Sequence, residues 1–481
     1  MFGRVVLHPR AAPSDSLRVW LGILKQPDQP KLTWYLDGAV TEPTSLRNLA
    51  RAYEYPQSGY TGVMTGLYEF RGLDPGSIHR VQVRVDDTED SEVLQTRTLP
   101  AELGNEPFRV LLASCFAYET DRTGLAGKLV AGLRPQPDLS LLVGDQVYLD
   151  QPLFHSLTGH EPTLAQRFER KYLENWTIPV GRAPSGYAQI LHVAPTSSVP
   201  DDHEFWNNYP QPSVVVPTTE LAHVRRSWTN AASAMYSAFQ QNATTTSEII
   251  NIKPLSFFLM DNRSERSEDF THSISGDTLK AFEDWTADVA GTRTIPVLIT
   301  GQSVFQDKKS GSDARNRDSN LANYDDFVKI INGLQMMARA GNPVLLLTGD
   351  VHYARILKAD LKLTQLTRPN GSIHEIISSP TSLVDMPVFD QWSIITTGSR
   401  WKKAPRPDDG STLAHFPSDL RFQSLYPEKA DTRRGDHVAI LSFQRNQTGA
   451  ELIVTYHAVP KPETTNGQAG EPVHISLSLA L

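Results

Sequence analysis

Over the first hundred positions apolar residues fall into short runs broken by turn residues, at 5–7, 17–24, 32–36, 68–70, 79–85 and 93–98. Val81, Val83 and Val85 alternate with Gln82 and Arg84, the period of two of a strand with one face buried. Between two runs stands Gly72-Leu73-Asp74-Pro75-Gly76, where proline presets φ and glycine tolerates either sign of it. The pattern predicts a small antiparallel β-sandwich over 1–103, with 100–107 as its linker.

From residue 108 the pattern changes. Near-continuous apolar runs of strand length occur at 108–113, 139–143, 256–260, 294–299, 344–348, 373–378, 438–443 and 451–457. Helical periodicity fills 125–133, 164–175, 221–240, 278–289 and 324–339. Strands alternating with helices predict an α/β domain over 104–481, with the last two strands added antiparallel. Residues 308–320 and 396–434 read as surface loops. The Leu73-x-Pro75-Gly76 turn followed by an alternating strand resembles the end of a fibronectin type III module.

Composition narrows the classes. At about 150 residues per domain, 481 residues make two to three domains with ample core. The single cysteine, Cys115, excludes an intramolecular disulfide framework. A net charge of −8 without a Lys/Arg run gives no footprint for nucleic acid or an anionic membrane. No apolar run approaches the roughly 18 residues of a membrane span. Residues 1–14 carry Arg4 and Arg10 without the apolar stretch of a leader, which predicts a cytoplasmic protein as written, or a periplasmic or secreted one if its start was processed.

Chemistry concentrates where the strand runs end, the place where α/β sheets bind ligands. The first run ends in Ser114-Cys115; a buried lone cysteine is either a small hydrophobe or a ligand. The second ends in Gly144-Asp145-Gln146-Val147-Tyr148-Leu149-Asp150, where Asp145 is either a turn carboxylate or a bridge between two cations and Tyr148 offers a phenolate. Asp201-Asp202-His203-Glu204 precedes Phe205 and Trp206, then Asn207 and Asn208; so many ionisable groups beside aromatics need cations or hydrogen bonds to compensate them. In Gly349-Asp350-Val351-His352, Asp350 and His352 share a face if the strand continues. In Asp261-Asn262-Arg263, Arg263 is either half of a surface ion pair or a fork for phosphate oriented by Asp261.

In this order, the motifs resemble those of the alkaline phosphatase D (PhoD-like) branch of the calcineurin-like metallophosphoesterases, a family that also carries an amino-terminal β-sandwich. Generic members begin with Asp-x-His and end with Gly-His-x-His; Ala113-Ser114-Cys115 and Gly349-Asp350-Val351-His352 depart from both toward the PhoD-like pattern. The resemblance implies a four-layer αββα sandwich and a dinuclear centre of iron(III) with calcium, other divalent metals being alternatives. Cys115, Asp145, Tyr148 and His352 would hold the iron, with Asp145 bridging to calcium held by Asp202, Asn207 and Asp350. It further implies hydrolysis of a small phosphate mono- or diester by a hydroxide held on the metals. His203 would serve as general acid, with Arg263 and Asn208 on the phosphoryl oxygens. Loops 151–161 and 396–434 would line the entrance, the second bearing Arg400, Lys402, Lys403 and Arg406 as a solvated basic face. The alternatives are a phospholipase D-like phosphodiesterase and a non-catalytic binding protein with a degenerate phosphatase domain.

Overall fold

The structure, a computed structural model, describes residues 4–481 except 27, 57–59, 152–158, 178–185, 215, 243–244, 307, 309–318, 362–370, 383–419, 426–435 and 461–471. The expected entrance loops therefore lie largely outside the described residues, as do Arg400, Lys402, Lys403 and Arg406.

The chain is mixed α/β, with three sheets among the described residues. Strands Phe108–Ala113, Leu139–Val143 and Thr196–Val199 run parallel at the centre of a ten-stranded sheet. His437–Asn446, Gly449–Ala458 and Val473–Ala480 extend one side antiparallel, as the terminal runs predict. On the other side Val5–Arg10 pairs parallel with Thr196–Val199 at Arg10 and Thr196, and Ser16–Leu24, Val63–Arg71 and Thr44–Arg51 follow antiparallel. Residues from both sides of the expected 103/104 boundary thus contribute to one sheet.

A seven-stranded sheet has Leu255–Met260, Ile295–Thr300, Val344–Thr348 and Ser372–Ile377 parallel at its centre, flanked by Ser247–Ile252, Arg355–Leu361 and Leu420–Ser424. Leu420–Ser424 is a strand where the sequence predicts loop. Side-chain alternation explains why the central runs are apolar throughout, since both faces are covered. Val110 and Leu112 join Leu345 and Leu347 in one core between the sheets. Leu111 and Ala113 face a second core against helices Glu161–Trp176 and Ala222–Phe239, whereas Val344 and Leu346 face a third against Gly276–Val289 and Phe327–Arg339.

The third sheet, built on Leu32–Leu36 and Ile78–Val85, encloses a fourth core with Val19, Leu21 and Phe70. The expected linker is tied down: Leu103 is buried and its N–H donates to Lys253 O at 2.7 Å. Among the described residues no helix is long and apolar enough to cross a membrane.

Candidate metal centre

The two large sheets close on each other at the carboxyl ends of their parallel strands. Glycine permits the approach: a Cβ on Gly349 would stand 2.0 Å from Val143 O, and one on Gly301 2.2 Å from Pro200 O. Asp350 and His352 from one sheet thereby meet Cys115, Asp145 and Asp202 from the other.

Just past the strand ends the backbone turns into a conformation that L-residues rarely adopt. Cys115 (φ 55°), Asp145 (58°), Asp350 (66°) and His352 (54°) are all left-handed without being glycine. Each such residue costs about 1–3 kcal/mol, and the surrounding hydrogen bonds hold it there. Cys115 N–H donates to Gly144 O (3.0 Å), Phe116 N–H to Asp145 O (2.8 Å) and His352 N–H to Ser379 Oγ (3.1 Å).

Three groups of side chains present ligand atoms within 4.8 Å of one another: Cys115, Asp145 and His352; Asp145, Asp202 and His203; and Asp201, Asp202 and Asp350. Asp145 belongs to the first two groups and Asp202 to the last two, so the groups form one continuous cluster. Tyr148 joins it, its hydroxyl 3.3 Å from Asp145 Oδ2 and 3.5 Å from His352 Nε2. Cys115 Sγ lies 3.4 Å from Asp145 Oδ2 and 3.4 Å from Asp350 O, and accepts from Ser379 Oγ at 3.2 Å.

The electrostatics favour added positive charge. Asp145 is wholly buried; burial, with Asp202, Glu204 and Asp201 adding to it against His203, pushes its carboxyl well above the usual range. Burial and the Asp145 and Asp350 carboxylates likewise push the Cys115 thiol up. Buried anions of this density cost several kcal/mol each unless cations compensate them. The donor set suits two different ions: a thiol, phenol and imidazole for a transition metal, and carboxylates for a hard oxygen-seeking cation. The residues present therefore fit a metal pair.

His203 is buried and clamped, with Nδ1 2.9 Å from both oxygens of Asp150. Its ring packs on Tyr148 at 4.2 Å between centroids, and its N–H donates to Asp145 Oδ1 at 3.2 Å. Burial works against a charged imidazole, but Asp150, Asp202 and Asp145 outweigh it and raise the ring well above its ordinary value.

Three residues singled out in the sequence have protein partners here. Arg263 does not offer an exposed fork: its side chain is 0% exposed and grips Asp201 through Nε (2.8 Å) and Nη2 (2.9 Å), with Nη1 on Tyr209 O. Asp261 does not orient that guanidinium; its carboxylate accepts from Tyr236, from Ser264 and from the Arg263 backbone N–H. Asn207 turns its Oδ1 to Ser213 Oγ (3.3 Å), and it is Asn208 whose N–H reaches Asp202 Oδ2. Asn208, also left-handed at φ 70°, accepts from Ser319 N–H at Oδ1 (3.1 Å).

The sequence reading names Asp150 and Glu204 within its motifs without giving either a role, and it passes over Ser379 and Gln302, whose amide lies 3.4 Å from Asp350 Oδ2. Asp201-x-x-Glu204 carries a legible signal for one of them: it has capping-box spacing, and both reciprocal bonds are present.

The fold has a counterpart among solved structures. A structure of PhoD superposes with a TM-score of 0.62, covering 99% of this chain and 92% of its own at 16% sequence identity. The chain has the PhoD fold. An amylomaltase from Corynebacterium glutamicum and a putative alpha-galactosidase from Bacteroides fragilis overlap only at TM-scores of 0.15 and 0.17, with 11% and 9% identity, covering 73% and 100% of this chain and 56% and 97% of their own. No family model matches the sequence, and no curated protein matches it. The likeness to PhoD is one of three-dimensional structure, across sequences that have largely diverged.

Proposed function

We propose that this chain is a metal-dependent phosphoric ester hydrolase of the PhoD type, acting on phosphate mono- or diesters. The observation that carries the reading is a chain of shared carboxylates where the two sheets meet: Asp145 belongs to the group with Cys115 and His352 and to the group with Asp202 and His203, and Asp202 links these to Asp201 and Asp350. Cys115, Asp145, Tyr148 and His352 would hold iron(III); Asp145, Asp202 and Asp350 would hold calcium, with the oxygen of Asn207 completing that set. When bound, such ions neutralise charge on the phosphoryl oxygens and acidify a water. The chain's own contribution is positional and protic. Asp150 holds His203 by Nδ1 so that Nε2 delivers its proton to the leaving oxygen. Asn208, anchored through Oδ1, faces the phosphoryl oxygens, while Arg263 fixes Asp201.

The three apolar cores support a four-layer αββα arrangement, and the fourth supports a fibronectin III-like sandwich among the N-terminal strands. The test is turnover of p-nitrophenyl phosphate and its bis ester. The wild-type protein hydrolyses at least one, and Asp145→Ala lowers kcat about a thousandfold or more; equal activity of the two proteins rejects the proposal. Extensive dialysis against a chelator abolishes turnover, and restored metal recovers it.

A further inference from the structure

Glu204 is 0% exposed and touches three segments that build the centre. Its Oε2 accepts from Asp145 N–H (3.0 Å) and Asp201 N–H (2.9 Å); its Oε1 accepts from Gln146 N–H (2.5 Å) and Gln240 Nε2 (3.1 Å). The donors lie on the loop after Leu139–Val143, on the loop after Thr196–Val199 and just past helix Ala222–Phe239. Asp145 has left the sheet ladder for a left-handed backbone, so its N–H has no strand partner to fall back on.

We propose that Glu204 is the positioning residue of the metal centre: its carboxylate fixes the Asp145–Gln146 backbone, and thereby sets where the Asp145 carboxylate stands between the two ligand groups. Four donors converge on two oxygens, which only a carboxylate satisfies at both. Glutamine has the same shape but puts an amide N–H₂ against two of the donors, leaving them buried without an acceptor. The proposal rests on the metal-centre reading above and adds a residue that is not itself a ligand in that reading. Supporting groups of this kind change metal affinity or activity by about 10–100-fold.

The experiment compares wild type, Glu204→Gln, and Glu204→Gln combined with Gln240→Glu, reading bound iron and calcium by elemental analysis beside kcat and KM for p-nitrophenyl phosphate. The expected result is a folded Glu204→Gln with metal affinity or kcat reduced about 10–100-fold and KM changed less than about threefold, since the group acts through Asp145 and does not meet the substrate. The double variant restores a carboxylate–amide pair to the helix but not the acceptors for the loop N–H groups, so it does not recover. Metal content and kcat at wild-type values in Glu204→Gln, or full rescue by the double variant, overturn the proposal. If Glu204→Gln does not fold, Glu204→Asp keeps the charge one methylene short and is read the same way. A wild type that binds metal yet hydrolyses no ester, alongside a Glu204→Gln that loses the metal, upholds the positioning role and rejects the hydrolase reading.

Discussion

His203 and Asp150 share the geometry of an oriented proton donor: a ring held at one nitrogen by a buried carboxylate, leaving the other for chemistry. A general acid matters in proportion to how poor the leaving group is. His203→Ala is therefore expected to slow hydrolysis of an alkyl phosphate about 10²–10⁴-fold and that of p-nitrophenyl phosphate far less; equal losses on both substrates reject the role. Cys115→Ser is expected to leave the unfolding midpoint within a few degrees of wild type while bound iron falls, because the hydroxyl is a much poorer soft ligand; unchanged iron content excludes the thiol as a ligand. At this scale the sequence is informative wherever residues of the cluster sit just after a strand run, as Cys115, Asp145, Asp350 and His352 do. It does not pick out the partner of Arg263, because the Asp201 that takes up its fork lies 62 positions away along the chain.

Among elements, the approach of the two sheets at Gly349 is an exacting contact. Gly349→Ala forces a methyl into Val143 O and the Ser114 side chain, so either the sheets part or the site shifts. The expected outcome is loss of about 2 kcal/mol or more of stability, together with most of the bound metal; a denaturant midpoint equal to wild type contradicts it. The C-terminus of helix Ala222–Phe239 is the other demanding junction, since its last carbonyls have no partners within the helix. Arg47 donates to Ser237, Ala238 and Gln241 carbonyls, Trp20 Nε1 to Ala238 O at 2.7 Å, and Arg10 to Phe239 O. Cations there also complement the helix dipole. Arg47→Ala is expected to lower unfolding free energy by about 1–2 kcal/mol in urea titrations. Several elements were invisible beforehand. Strand Thr196–Val199 reads Thr-Ser-Ser-Val, and its Ser197 is buried by bonding Glu248 instead of by apolar packing, so no hydrophobic run marks it. The short helix Gly186–Val193 has only two turns, too few for a period to emerge.

For the whole molecule, two of the buried histidines among the described residues resist taking up a proton. Burial, then His192, lowers His8 from 6.5 to about 3; burial, then Lys358, lowers His374 to about 4. Unfolded histidine takes up a proton near pH 6.5 while these two resist it. The unfolded chain therefore binds more protons, and stability present above pH 6.5 drains away as pH falls toward 4, on the order of 1 kcal/mol per pH unit for each residue. Urea midpoints at pH 7.5 and 5.0 test this: the gap narrows in His8→Gln/His374→Gln, and an unchanged gap refutes it.

The pairing of Arg10 with Thr196 has a consequence for how the molecule can be divided. A chain shortened to residues 104–481 would uncover the edge of Thr196–Val199 at Thr196, whose carbonyl loses the Ala11 N–H, and would strip Trp20 from Phe239. Unguarded strand margins next to bare aromatic surface invite self-association. The amino-terminal strands thus act as a fender for the sheet that carries half of the candidate metal centre.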